Sequence, residues 1–387
     1  MQSPRPSIAY WNNIPSPYFV ERMNAVIQRG NIDVTCWFNQ MREPDRSWDV
    51  DESSWQFNHE YLIPRAFRGR TVYSPSVQTP RRDLLVSLYG EPSFVLGAFF
   101  HRQYAKRLAF RMLPTYDAWQ PRARFKEGIK HTLFRMVDAV KVPGPDGEST
   151  ARKYGVPSSR IFTVTQSIDV EHFASARRID PVVREKERLQ RGLTGCTFIY
   201  VGRLWHGKGL DPLFDAYRSL LDTYADVSLL IVGDGVDEQR YRDVARSMRG
   251  IHFEGFVQES DLPNLYALAD VMVFPTLGDP HGLVVEEAMA AGLPVISSDA
   301  AGDIKRRLPD NEAGMIVPAG QAEPLARAMQ VLAEDEPLRR TLRHRGGELV
   351  TSRSHESYAL DFESFVEHTL NLPKRFSVAD LRRNLTW

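Results

Sequence analysis

The chain has 387 residues, enough for two domains of ordinary size, and its 49 basic and 49 acidic residues cancel, so no global field draws it to nucleic acid. Two cysteines, Cys36 and Cys196, lie far apart, show no metal spacing and read as reduced core residues. No apolar run reaches the ~20 residues that span a bilayer, and the opening MQSPRPSIAYWNN lacks a basic-then-apolar leader pattern, so a cytoplasmic protein is expected.

In chain order, Ile8 to Tyr10 predicts a first strand, Val20 to Gln28 a helix and Ile32 to Phe38 a second strand. The loop between, Ile14 to Tyr18, is stiffened by Pro15 and Pro17. Asn12, Ser16 and Tyr18 then stand at the carboxyl end of the first strand, where open α/β sheets take ligands. From Arg42 to Trp55 the chain is polar and irregular, and its Asp49-Val50-Asp51 triplet, without flanking strands, reads as a chance occurrence of a metal-binding pattern. Ser93 to Phe99 is an apolar run read as a strand with His101 just past its end. Tyr104 to Met112 reads as a basic helix, with Tyr116 and Asp117 beyond it.

Phe125 to Val137 predicts an amphipathic helix, with Arg122, Arg124, Lys126, Lys130 and Arg135 on or before it. Such a helix either lies at an anionic lipid surface or packs its apolar face on the core. Ala139 to Val142 and Ile161 to Val164 read as strands, and the charged stretch Arg177 to Gly195 as a linker plus a helix. Phe198 to Val201 is a continuous apolar run of the kind buried in parallel sheets. Gly202 ends it, and a helix is expected from Asp211 as N-cap with Pro212 in the first turn. That places Arg203 and Lys208 at a strand's carboxyl end, where a planar guanidinium and a mobile ammonium suit a diphosphate.

Leu229 to Gly235 (LLIVGDG) is a second strand–glycine turn, Ile251 to Phe253 a further strand, and Asp261 to Ala269 a short helix opening on an Asp cap. Val271 to Phe274 then runs through a Gly/Pro loop into a helix expected from near Gly282, carrying Glu286 and Glu287. Unpaired N–H groups at a helix start make an anion site, with Asp279 on the loop and Glu287 on the helix to meet a hydroxylated ligand. His355 to Leu370 closes as an amphipathic helix, and no function is read into the tail from Asn371 to Trp387.

The segment D-P-H-G-L-V-V-E-E-A-M-A-A-G-L-P-V-I, Asp279 to Ile296, resembles the donor-binding signature of the family 4 retaining glycosyltransferases. Their pattern reads roughly E-P-x-G-x-x-x-x-E-A-M-A-x-G-x-P-V-[IV], with aspartate here in place of the first glutamate. Val201 to Gly209 matches their V-G-R-x-x-x-x-K-G throughout, and Gln166 to Phe173 (QSIDVEHF) is similar to their N-G-[VI]-D-x-x-x-F element, with Gln-Ser for Asn-Gly. The resemblance is strong from about Thr163 to Ala333 and loose before it.

The resemblance implies an α/β protein of GT-B architecture, two facing Rossmann-like domains with a donor and acceptor cleft between them. Residues 1–175 would bind the acceptor, 176–354 the nucleotide-sugar, and 355–387 would cross back to the first domain. It implies Arg203, Lys208, Asp279 and His101 as catalytic, His101 lying by the donor sugar. Gly202, Gly233, Phe256, Val257, His281, Gly282, Leu283 and Glu287 would bind the donor, with Glu287 at the ribose. Asn12, Ser16, Tyr18, Tyr116 and Asp117 would bind the acceptor. The implied reaction is metal-independent and cofactor-free: transfer of a hexose from a UDP-linked donor to a glycan, lipid-linked or small-molecule acceptor in bacterial polysaccharide or secondary metabolism. A non-catalytic nucleotide-sugar-binding subunit and a sugar-nucleotide epimerase of the same architecture are the other readings.

Overall fold

The structure is a computed structural model and describes residues 5–43, 48–67, 69–76, 78–112, 124–224 and 226–373. The chain forms two compact units: the stretch up to Ser167 joined by the stretch from His355, and Ile168–Ser354. The division therefore falls between Ser167 and Ile168 rather than after residue 175. Ile168 donates its N–H to Arg353 O at 3.0 Å, which closes the two ends of the second unit on each other.

The first unit is built on β1 (Ser7–Asn12), β2 (Asp33–Phe38), β3 (Asn58–Tyr61), β4 (Ile63–Phe67), β5 (Arg70–Ser74), β6 (Arg82–Ser87), β7 (Ala105–Arg111), β8 (Ala139–Val142) and β9 (Ile161–Thr163). Seven of these make one sheet in the order β3-β2-β1-β6-β7-β8-β9, all pairs parallel, while β4 and β5 form an antiparallel hairpin. The crossovers include α1 (Pro17–Gln28), α2 (Pro92–Phe100), α3 (Arg124–Met136) and α4 (Pro145–Lys153). Alternation along β1 serves both faces. Ile8 and Tyr10 enter one core with Met23 and Val26 of α1, and Ala9 and Trp11 enter the other with Phe94 of α2 and Phe134 of α3.

Two expectations are corrected here. Ser93 to Phe99 is helical, because Pro92 and Ser93 open a helix turn and Gly97 lets α2 press onto Trp11: a Cβ at Gly97 would lie 2.2 Å from that ring. A short apolar run has no period that separates a buried helix from a strand. Tyr104 to Met112 is the converse: it forms β7, set between β6 and β8, where Leu108, Ala109 and Phe110 are fully buried and Arg107 pairs with Asp138 at 3.0 Å. Position in the sheet overrides the helical propensity of its lysine and arginines.

The second unit carries β10 (Cys196–Val201), β11 (Val227–Val232), β12 (Ile251–Gly255), β13 (Val271–Phe274), β14 (Val295–Ser298) and β15 (Gly314–Val317). Its helices are α5 (Val170–Ala174) and α6 (Pro181–Gln190) before the first strand, α7 (Leu210–Leu221), α8 (Glu238–Ala245), α9 (Leu262–Tyr266), α10 (Val284–Ala291) and α11 (Ile304–Arg307) between strands, and α12 (Ala322–Glu334) and α13 (Glu336–Val350) after the last. The sheet order is β12-β11-β10-β13-β14-β15, all parallel, the doubly wound order whose direction reverses between β10 and β13. Ligands bind such sheets at the carboxyl ends of the two strands flanking that reversal.

The stretch expected as a linker from Arg177 belongs to this unit. Arg188 of α6 is buried and donates to Leu268 O, Gly195 O and the Asp270 carboxylate, the last at 3.3 Å. The chain returns to the first unit as α14 (His355–Asn371), where Tyr358, Phe362 and Phe365 join the core of β1 and α1. Among the described residues, no helix is long and apolar enough to cross a membrane.

Candidate functional site

The two loops at the reversal point carry the residues that the sequence singled out. After β10, the chain turns through Gly202 and Arg203 and a single 3-10 turn, His206–Lys208. After β13 it runs Pro275 to Gly282 into α10. The loops are stitched together: Leu277 N–H donates to Gly207 O at 3.0 Å, and Gly209 lies so close to Pro275 that a Cβ would sit 1.9 Å from its carbonyl oxygen. Gly209 also holds φ +74°, a left-handed geometry open to glycine. It is the N-cap of α7, so Asp211 is not the cap; its carboxylate instead pairs with Arg240 at 2.5 Å. Likewise no side-chain cap hydrogen bond is formed by Asp261 at the start of α9.

This stitching brings Lys208 and Asp279 into contact, Nζ to Oδ2 at 2.5 Å, from positions 71 residues apart. The second Asp279 oxygen accepts the His281 N–H at 2.9 Å, and the Asp279 backbone accepts from Gly302 N–H at 2.9 Å, so the carboxylate is fixed at both ends. Burial pushes its pKa up, but Lys208, the His281 N–H and Arg307 outweigh that and hold it below its ordinary value. Arg203 stands beside Trp205, its guanidinium carbon 5.9 Å from the indole centre. Gly233, after β11, takes φ +128° against Gly202: a Cβ there would meet Gly202 O at 2.1 Å, so the second glycine turn packs on the first. Phe256 and Val257 follow β12 on the same edge of the sheet, Phe256 exposed.

α10 begins at Val284, two residues later than expected from Gly282, with Leu283 as a cap that offers no side-chain hydrogen bond. Its first-turn N–H groups are therefore not claimed by a side chain. Gly282 turns the chain with φ +74° over Phe274. Beneath it, Arg307 of α11 bonds Glu286 through two nitrogens (2.7 and 2.5 Å), Gly282 O (2.9 Å), Gly302 O (3.0 Å) and His281 O. Glu286 and Arg307 are both buried, and His281 Nε2 lies 3.7 Å from Glu286. Glu287 is fully buried and accepts the Tyr266 hydroxyl at 2.8 Å. Burial and the Glu287 charge push the Tyr266 phenol well up, so it remains a donor. Asp279, Glu287, Arg203 and Lys208, singled out in the sequence, lie on these loops and on α10. Arg307 and Tyr266 were not singled out, because they carry no motif and reach Glu286 and Glu287 only through hydrogen bonds that the fold sets up.

In the first unit, Asn12 ends β1 and is nearly buried, donating to Ile14 O at 3.1 Å and accepting from Arg111 at 3.3 Å. Ser16 caps α1 without a side-chain hydrogen bond, and Tyr18 lies in that helix's first turn. Arg111 and Lys141 are direct partners on β7 and β8, and Lys141 is buried, 3.1 Å from the Tyr358 hydroxyl. Burial, then Arg111 and Arg22, pull the Lys141 ammonium well below its ordinary pKa. Neither Arg111 nor Lys141 was singled out from the sequence: the stretch that carries Arg111 reads as a helix, and Lys141, on a strand that was expected, belongs to no motif.

His101 is a correction. It does not follow a strand's carboxyl end; it caps the carboxyl end of α2, its Nδ1 2.7 Å from Ala98 O, four residues before β7 begins. It therefore lies at the amino edge of the sheet, opposite Asn12. Tyr116 and Asp117 lie outside the described residues, as do the side chains of Arg122, Arg124 and Lys126. Asp51, of the D-x-D triplet, accepts from Ser53 N–H at 3.0 Å as a local cap, and among the described residues no group of three His, Cys, Asp or Glu side chains could hold a metal ion.

Residues 195–335 match the family model described as Glycosyl transferases group 1. The chain is 37% identical over 158 residues to a phosphatidyl-myo-inositol mannosyltransferase of Mycobacterium leprae, 40% of this chain and 42% of that protein. It is 29% identical over 245 residues to a D-inositol 3-phosphate glycosyltransferase of Jonesia denitrificans, 59% of this chain and 55% of that one. The chain spans about half the length of the curated relatives it matches. Among solved structures it is similar to Anabaena Alr3699/HepE in complex with UDP and glucose, with a TM-score of 0.74 at 17% identity over 94% of this chain and 100% of that one. WaaG, a glycosyltransferase of lipopolysaccharide biosynthesis, follows with a TM-score of 0.66 at 17% identity over 94% and 99%. These likenesses show the fold, two Rossmann-like units of the GT-B architecture.

Proposed function

We propose, from the match of residues 195–335 to the family model described as Glycosyl transferases group 1, that this protein is a retaining hexosyltransferase that uses a UDP-linked sugar. The observation that carries the reading is the Lys208–Asp279 contact at the sheet's reversal point, with Arg203 on the same loop and an uncapped helix N-terminus opposite. A donor diphosphate placed there would meet Arg203, Lys208 and the amides that open α10. Asp279, held ionised by its neighbours, would accept hydroxyls of the donor sugar, and Glu287, oriented by Tyr266, would accept those of the ribose.

The chemistry asks little covalent work of the protein. The acceptor hydroxyl attacks the anomeric carbon on the face from which the diphosphate departs, the carbon–oxygen bond to phosphate breaks, and the leaving phosphate takes the hydroxyl proton. Charge grows on the β-phosphate, and two cations with a helix N-terminus are preorganised to stabilise it without a metal ion. In the first unit, Asn12, Ser16 and Tyr18 would bind the acceptor, a glycan, lipid-linked or small molecule. The mannosyltransferases and the D-inositol 3-phosphate glycosyltransferase among the relatives motivate a GDP-linked donor and a polyol acceptor as the arms to run beside UDP. The test is hexose transfer to a panel of polyol and glycan acceptors from UDP- and GDP-sugars, with and without EDTA. Expected is turnover with one UDP-sugar, unaffected by EDTA, giving a product of the donor's own anomeric configuration. Binding without any turnover would support the non-catalytic reading, and an inverted product would end the front-face mechanism.

A further inference from the structure

At the opposite end of the second unit's sheet lies a cavity of about 550 Å³ that none of this chemistry uses. Its lining includes Ala269 and Asp270, which lead into β13, and Gly292 and Leu293, which lead into β14. It therefore opens at the amino ends of strands whose carboxyl ends carry Asp279 and its loop. Five arginines line it, Arg177, Arg184, Arg339, Arg340 and Arg343, against two carboxylates, Asp270 and Glu336.

Both carboxylates are already taken. Asp270 accepts from Arg184 at 2.9 Å and from Arg188 at 3.3 Å, and Glu336 from Arg340 at 2.7 Å. Three guanidinium groups are left without a carboxylate among the described residues. Arg177 donates to Met289 O at 3.0 Å and Arg339 to Ala333 O at 3.0 Å, carbonyls at the ends of α10 and α12. Those bonds fix the two groups and leave each with further N–H donors. Two glycines make room for Arg177: a Cβ at Gly292 would lie 3.1 Å from its Nε, and one at Gly347 would lie 3.2 Å from a terminal nitrogen. Arg343, one turn beyond Arg339 on α13, makes no hydrogen bond or ion pair with a described residue. Burial lowers its pKa, Asp270 opposes this, and the like charges of Arg339, Arg184 and Arg177 add to the lowering.

Like charges gathered around a cavity cost energy unless an anion joins them, and planar guanidinium forks match phosphate oxygens in pairs. We infer that Arg177, Arg339 and Arg343 form a second anion site, separate from the diphosphate loop, that takes a phosphomonoester or diphosphate group. The cavity's size suits a small phosphorylated molecule; a lipid phosphate headgroup offers the same chemistry.

The full chain, its nucleotide site first saturated with a nucleoside diphosphate, is titrated with inorganic pyrophosphate by calorimetry. In parallel it is sedimented with vesicles of phosphatidylcholine and phosphatidic acid. Expected is saturable binding in at least one arm, weakened about tenfold in Arg343→Ala and partly restored in Arg343→Lys, with nucleoside diphosphate affinity unchanged. The arm that responds names the source of the phosphate. Because Arg343 bonds no described residue, its variants keep the fold, which circular dichroism verifies. Binding in neither arm, or binding as tight in Arg343→Ala as in the parent, overturns the inference.

Discussion

At the residue scale, the site rests on charges whose partners fix their state. On the proposed mechanism, Lys208 and Arg203 are preorganised cations where charge would develop, so Lys208→Ala or Arg203→Ala should lower kcat by roughly 10² to 10³, read by steady-state kinetics with the fold verified. Asp279 gives a pH signature. Its folded pKa lies below the ordinary 3.8, so its stabilisation is fully present above that value and is lost as pH falls through the depressed one. Urea unfolding should therefore show the parent more stable than Asp279→Asn near neutral pH, with the gap closing only in acid below 3.8. A gap that closed at higher pH would contradict the Lys208 pairing. These three residues were singled out because the segments that carry them match a pattern of fixed spacing. Tyr266 and Arg307 were not, since a tyrosine on a short helix and an arginine on another announce nothing until the fold sets them against Glu287 and Glu286.

At the scale of elements, parallel strands and their glycine turns were readable because burial on both faces forces unbroken apolar runs, as in FIYV, LLIV and VMVF. The same signal failed at α2, where a buried helix is as apolar as a strand, and at β7, where Arg107 finds Asp138 just before β8 and the Leu370 carbonyl of α14 as partners. His101 was misplaced as a direct consequence. The first turn of α10 depends on Arg307, whose guanidinium ties Glu286 to the Gly282 carbonyl. Arg307→Leu leaves a buried carboxylate without its counter-charge and should cost about 3–5 kcal/mol in denaturant unfolding. Pairing it with Glu286→Gln should recover part of that loss. Gly209→Ala forces a left-handed φ onto a side chain aimed at Pro275 O and should cost about 1–3 kcal/mol; a neutral outcome would mean that the two loops are not stitched as described.

At the scale of the whole molecule, the chain crosses between its two units twice, at Ser167–Ile168 and at Ser354–His355. Length left room for two domains, while the two-domain plan and the return of the last helix came from the family resemblance, periodicity giving only an amphipathic helix from His355. The shift of the boundary to Ser167 was not legible, because it depends on where α5 packs: His172 meets Glu259 O and Phe173 meets Tyr266, both in the second unit. Ending the chain at Ser354 removes α14 and uncovers Tyr10, Met23 and Val26 beneath Tyr358 and Phe362. Such a truncation should abolish cooperative unfolding of the first unit, seen by calorimetry, while residues 168–354 retain theirs. The most direct test of the central claim is calorimetric titration of UDP against uridine, in the parent and in Lys208→Ala. The predicted result is a diphosphate whose affinity exceeds the nucleoside's in the parent and falls toward it in the variant, with uridine binding unchanged. Equal loss of both ligands, or no loss of either, would contradict the assignment of Lys208 to the diphosphate.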